Sequence, residues 1–273
     1  MKTHKILSAK SAVLACVAMT LLVISFAAST DQERATNDVL DFDGPEMEGA
    51  SENASNPLAA ASNIDIRWQY LDLRDGESSI NDVFIDGAFM ASSKIKVKYE
   101  LHYWSTDQSG STETGLESAT GKLIYFARQG ITSKGAKYRL AVGFDYIHDL
   151  GNGEKGIGLG SDQIGPFTGL ALGFNGGTSL IPLIQHFTNI NGADISTTAA
   201  RLILLRPMNR SSWLKADLKV PYDWENDAWP MDLEIQVGKN LNKAGAIYGD
   251  VLIGIGGDRL YDWGVGLGFR FNY

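Results

Sequence analysis

The chain has 273 residues, 44% of them hydrophobic and 21% charged, with a formal net charge of −8. An acidic balance of this size excludes a nucleic-acid-binding surface. A single cysteine, Cys16, excludes a disulfide framework, so the fold must be held by other means.

The amino terminus reads as an export signal over residues 1–27. Lys2, Lys5 and Lys10 precede the apolar run SAVLACVAMTLLVISFA, which leads to the small residues Ala27 and Ala28. At about 17 residues the run is at the short limit for a membrane span. Val13 to Cys16 resembles a lipobox, but the apolar run continues past Cys16, which argues against lipidation there.

Residues 28–62 read as a disordered acidic leader. Asp31, Glu33, Asp38, Asp41, Asp43, Glu46, Glu48 and Glu52 stand against Arg34 alone, a local charge of −7, with little apolar material to bury.

From residue 63 to 273 the pattern changes again. Twelve alternating or apolar runs follow one another: IDIRWQYLDL, DVFIDGAFMA, KIKVKYELHYW, SATGKLIYFAR, KYRLAVGFDYIH, QIGPFTGLALGF, SLIPLIQHFT, STTAARLILL, WLKADLKVPY, MDLEIQVGK, AIYGDVLIGI and DWGVGLGFRFNY. Clusters of Gly, Asn, Asp and Ser separate them, and none shows helical periodicity. Connections after odd strands are long, such as STDQSGSTETGLE and DLGNGEKGIGLGSD; those after even strands, such as NGGT, are generally shorter. Long loops at one end and tight turns at the other characterise an outer-membrane barrel with both termini in the periplasm. The expected fold is all-β: a transmembrane antiparallel up-and-down barrel of about twelve strands.

The third run shows which face is which. Lys94, Lys96, Lys98, Glu100 and His102 share one parity, and Ile95, Val97, Tyr99, Leu101 and Tyr103 the other. Successive strand side chains point to opposite faces, so in a membrane barrel the apolar set meets lipid and the charged set lines the lumen. The same rule adds Arg67, Asp65 and Asp86, then Lys122, Lys137, Arg139 and Asp145, and later Arg201, Lys215, Asp217, Lys219, Asp232, Glu234, Asp250 and Arg270. A basic wall on the early strands would then face a mixed to acidic one. Two readings of that lumen stay open, a pore that orients small polar or amphipathic solutes and an interior knitted shut by salt bridges.

The seventh run, SLIPLIQHFT, is apolar on both parities and would make part of the lumen greasy. Pro182 has no ladder donor, so a bulge is expected there, and His186 reads as a hydrogen-bonded structural side chain. The twelfth run places Trp263 and Phe271 eight steps apart on one face, roughly 26 Å along a strand. With a tilt of about 40° that matches the apolar band of an outer membrane, with aromatic ends at its two interfaces. Tyr138 and Tyr146 repeat the spacing on the fifth run.

Gly268, Phe271 and the terminal Tyr273 resemble the carboxy-terminal signal by which bacterial outer-membrane barrels engage their assembly machinery. NIDIRWQYLDL, VFIDGAFM, KVKYELHYW, KGIGLGSDQIGPF, LIPLIQHF, KVPYDWEND and IGGDRLYDWGVGLGFRFNY resemble the bacterial barrels called neuromedin U-like, related to the transporter group of the MetA-pathway phenol-degradation family. The likeness covers nearly all of residues 63–273. It implies an outer-membrane barrel passing small molecules, supplies no catalytic set or cofactor, and carries no hormone function. The partners it implies are membrane lipid, the assembly machinery and a small solute, with the leader in the periplasm.

Other chemistries have weaker support. Outer-membrane lipid hydrolases need a serine beside a base; His102, Glu100 and Ser118 could approach on neighbouring strands, but none of the histidines has a serine two residues away on its own strand. Asp223, Glu225 and Asp227 in DWEND alternate as a hard cation would require, without the glycine and distal glutamate of a calcium loop. GNGEKGIGLGSD has glycine spacings reminiscent of phosphate loops but enters no helix, so it reads as an external loop.

Overall fold

The computed structural model describes residues 53–273. Residues 1–52, which hold the expected signal peptide and most of the expected leader, lie outside the described residues.

Twelve antiparallel strands close into one barrel. They are β1 (Asn63–Leu73), β2 (Ser79–Met90), β3 (Ile95–Thr106), β4 (Glu113–Ile131), β5 (Lys137–Asp149), β6 (Ser161–Gly173), β7 (Ser179–Gly192), β8 (Ser196–Pro207), β9 (Ser212–Asp223), β10 (Met231–Asn240), β11 (Gly245–Ile255) and β12 (Tyr261–Asn272). Each pairs with its sequence neighbours, and β1 closes on β12 from Asn63 opposite Asn272 to Leu73 opposite Tyr261. Closure leaves no unpaired edge, which hydrocarbon would not tolerate.

Burial is inverted relative to a soluble barrel. Ile66, Trp68, Val83, Ile85, Leu101, Tyr103, Val142 and Phe144 stand exposed on the outer face, while Asp65, Lys96, Asp145, Asp217 and Arg270 are buried inside. Trp263, Leu267, Phe269 and Phe271 lie outside on β12. Tyr146 is exposed, whereas Tyr138 is buried, its ring lying over Gly130 of the neighbouring strand.

The strands run further than the apolar pattern. β4 begins at Glu113, inside the stretch expected as a loop, because Thr114 and Glu113 pair with Ser105 and Thr106 as well as apolar residues would. The connection from β7 to β8 shrinks to 193–195 for the same reason. β4 absorbs its extra length in irregularities opposite Leu101/Tyr103 and at Phe126/Arg128. Pro182 makes no bulge. The β6–β7 ladder keeps one register across it, from Gly169 opposite Leu183 to Leu172 opposite Leu180, and shifts instead at Asp162/Gln163.

The largest departure concerns residues 53–62, expected as the end of the leader. They enter the barrel from the end where β1 begins and β12 finishes, here the terminal end. Asn56 N donates to Asn53 O (2.8 Å) and Ala59 N to Asn56 O (3.0 Å), making two consecutive turns. The side chains of Asn53 and Asn56 each accept the backbone N–H two residues on, the local bond that favours Asn in turns. Leu58 is fully buried against Ile124, Phe126, Phe167, Ile181, Leu183 and Ile203.

A charged chamber above a lumen-crossing segment

Segment 53–59 holds both walls at once. On one side Ser55 Oγ donates to Gln236 Oε1 of β10 (2.7 Å) and accepts from Arg270 of β12 (3.1 Å). On the other, Lys96 Nζ of β3 donates to Ala59 O (2.6 Å), and Arg139 of β5 donates to Leu58 O (3.0 Å). Polar anchors and the Leu58 apolar socket together fix the segment across the interior.

Beyond it lies a cavity of about 420 Å³. Lys98, Glu100, His102, Lys122, Asp145, Arg201, Lys215, Lys219, Glu234 and Arg270 line it, with Asp65, Arg67 and Asp86. Between the Lys98–Lys122 pair and the Arg201–Lys219 pair, each formed of directly opposed residues, the wall is mainly apolar, with Ile147, Leu183, Phe187 and Ala199 around Gln185 and with Asp145 beside Lys122. Lys96 and Arg139 instead face the segment 53–59, and Lys94 and Lys137 stand at the terminal end of their strands.

The charges pair sideways along the wall. Lys122 meets Asp145 at 2.9 Å, Lys215 meets Glu234 at 2.7 Å, Lys219 meets Asp232 at 3.1 Å, and Arg67 meets Asp250 at 3.0 Å. Arg201 Nε donates to Asp217 at 2.8 Å, and Lys215 lies 3.8 Å from the same carboxylate. Lys98 is more loosely held, 3.7 Å from Glu100. Most of these contacts join adjacent strands, while Lys98–Glu100 and Lys215–Asp217 lie within one strand and Arg67–Asp250 reaches past β12, so the expected basic wall facing an acidic one is replaced by local ion pairs. Opposite signs face each other directly in Lys122–Asp145 and Lys219–Asp232, and like signs in Lys98–Lys122 and Arg201–Lys219.

The seam between β1 and β12 carries the densest network. Asp65 accepts from Arg270, from Tyr248 Oη (2.6 Å) and from Asn63 Nδ2 (2.6 Å). Tyr248 can reach Asp65 because Gly268 lies beneath its ring; a Cβ at that glycine would come within 2.3 Å of Tyr248 Cζ. Tyr248, Gln236 and Ser55 escaped the sequence reading. The first two lie on the inward parity of their strands, but an isolated Tyr or Gln carries no charge pattern to mark it, and Ser55 sits in a segment without periodicity.

His102 does not form a serine–histidine pair. Its Nδ1 lies 2.8 Å from Asp82, its Nε2 lies 3.6 Å from Glu100, and its ring stacks on Phe84 at 4.5 Å. Ser118 donates instead to Glu117. His186 faces outward and bonds Thr198 Oγ1 at 2.9 Å, which also accepts from Trp224 Nε1. In the 224–230 loop, Asp223 accepts from the backbone of Glu225 and Asn226, and Asp227 accepts from Tyr222. Asp223, Glu225 and Asp227 do not converge, and no group of three or more potential metal ligands occurs among the described residues.

This arrangement defines a class, the twelve-stranded barrel of bacterial outer membranes, with polar residues inside and apolar ones outside. Solved structures share it. The NanC porin superposes with a TM-score of 0.60 at 10% identity, covering 77% of this chain and all of that one. An outer membrane channel from Pseudomonas putida F1 gives 0.57 at 9% identity over 83% and 99% of the two chains. The KdgM porin gives 0.52 at 8% over 77% and 99%. At these identities the likeness is one of fold. No family model matches the chain, and no curated protein does.

Proposed function

We propose that this protein is an outer-membrane channel or transporter for small solutes, with its terminal end, and so its acidic leader, in the periplasm. The observation that carries the reading is the charged chamber beyond segment 53–59. Packed lumens of small barrels hold side chains alone, whereas this one keeps space for a small molecule. The apolar panel of Ile147, Leu183, Phe187 and Ala199 between two basic pairs suits an amphipathic solute better than a uniformly polar one. Resemblance to the neuromedin U-like and phenol-degradation barrels points the same way.

A structural barrel with a stoppered lumen is the second reading, favoured by segment 53–59 itself. Lipid hydrolysis has no support in the geometry of His102 and Ser118. Conductance of the refolded protein in a planar bilayer, under a salt gradient, separates the first two. Discrete current steps support the channel; silence from protein shown to be folded by its heat-modifiable gel mobility supports the stoppered barrel.

A further inference from the structure

The two ends of the barrel differ in charge. The five turns at the terminal end, 91–94, 132–136, 174–178, 208–211 and 241–244, contain Lys94, Lys134, Arg210 and Lys243 and no Asp or Glu. Arg206 and Lys239, exposed at the ends of β8 and β10, add to the same rim. The six loops at the opposite end contain eight carboxylates, from Asp75 to Asp258, against three basic residues. Basic turns at one end thus oppose acidic loops at the other.

The chain outside the described residues meets the barrel at this basic end. Asn53 lines one recess with Arg210 and another with Lys243. Glu52 is its immediate neighbour in sequence, and Glu48, Glu46, Asp43, Asp41 and Asp38 follow within a short stretch. Twelve tilted strands spaced about 4.8 Å apart make a rim roughly 24 Å across. Fifteen residues span up to ~50 Å when extended, so the carboxylates of 38–52 can reach any part of it. Covalent tethering at Asn53 turns each encounter into an intramolecular one, at an effective concentration on the order of millimolar.

We infer that the acidic segment 38–52 of this chain docks on the basic rim formed by Lys94, Lys134, Arg210 and Lys243. The docked segment anchors the free end of the 53–59 stopper, so that the stopper is held from both sides: by β1 after Ser62 and by the rim before Asn53. The inference rests on the position of the chain and the charge of the rim, and it stands whether or not the lumen conducts.

The test is carbodiimide cross-linking of the full secreted chain in bilayers of neutral phosphatidylcholine, read by mass spectrometry, after gel mobility has shown the barrel to be folded. Expected are intrachain amide links from carboxylates of 38–52 to Lys94, Lys134 or Lys243, at least five-fold more abundant than links to Lys155 at the opposite end. In 1 M salt, where the screening length falls to about 3 Å, they should drop several-fold. A triple variant, Lys134→Gln, Arg210→Gln and Lys243→Gln, should lose most links to Lys94 as well, because the segment no longer settles on the rim. Links spread equally over both ends, indifference to salt, or undiminished Lys94 links in the triple variant would each overturn the inference. So would links lost in phosphatidylglycerol bilayers, which would assign the rim to anionic lipid headgroups instead.

Discussion

Arg270 on β12 grips Asp65 on β1 from across the barrel seam, with Nε 3.0 Å and NH2 2.7 Å from its carboxylate oxygens. Both side chains are buried, and Arg270 also donates to Asn53 and Ser55. One guanidinium therefore joins the closing strand pair to the segment that crosses the lumen.

Removing one member of a buried pair strands the other, at a cost of about 3–5 kcal/mol. Asp65→Asn should therefore lower barrel stability by that order, measured as the urea midpoint of refolding into vesicles. The double variant Asp65→Asn with Arg270→Met should recover much of the loss. A single variant as stable as the parent would show that the seam pair contributes nothing.

Leu58 fills a socket built from four strands, so Leu58→Ala should weaken docking of the crossing segment by roughly 2–5 kcal/mol while leaving the barrel strands intact. Proteolysis within 53–62 should become faster, and open-channel conductance in planar bilayers should rise several-fold. Unchanged cleavage and unchanged current together would mean that the polar anchors Lys96, Arg139 and Ser55 suffice without it.

Gly268 belongs to the terminal pattern expected to engage the assembly machinery, yet it also makes room for Tyr248. The two roles separate by double substitution. Gly268→Ala should impair folding by displacing Tyr248 from Asp65, and adding Tyr248→Ala should restore folding into pure lipid vesicles. Failure of that rescue in vesicles without any assembly machinery would rule out the packing role.

At the loop end, the Ser78 hydroxyl and the backbone amides of Glu77 and Ser78 donate to Asp75 and hold its carboxyl below the ordinary value. A depressed carboxyl stabilises its turn fully above the unfolded value of about 3.9 and loses that contribution as pH falls through the lower folded value. Amide exchange protection at Glu77 and Ser78 should accordingly persist at pH 4, relative to an Asp75→Asn control, and vanish only in stronger acid. Loss of protection above pH 4 would contradict the arrangement.

The barrel was legible because a period of two is an unmistakable signal when one face meets hydrocarbon. Lys94 to Tyr103 states that alternation without an exception. Strand ends were less legible: Glu113 and Thr114 pair in β4 through backbone groups that every residue carries, so their polarity gave no warning. Pro182 misled in a smaller way, since a missing donor interrupts a ladder without having to shift its register. The segment 53–59 was hidden most deeply. Its burial depends on one leucine, two asparagine-bound turns and distant donors such as Arg139 and Arg270, none of which leaves a periodic trace.

The opposed charge of the two ends has an electrical consequence. Along the chamber wall cations such as Lys122, Lys215 and Lys219 are matched by nearby anions, so a travelling ion meets dipoles, whose fields fade quickly with distance. At the mouths the turns and loops carry net charge of opposite sign, as in a semiconductor junction. An open form of such a tube is a rectifier: current driven one way fills it with carriers, and current driven the other way empties it.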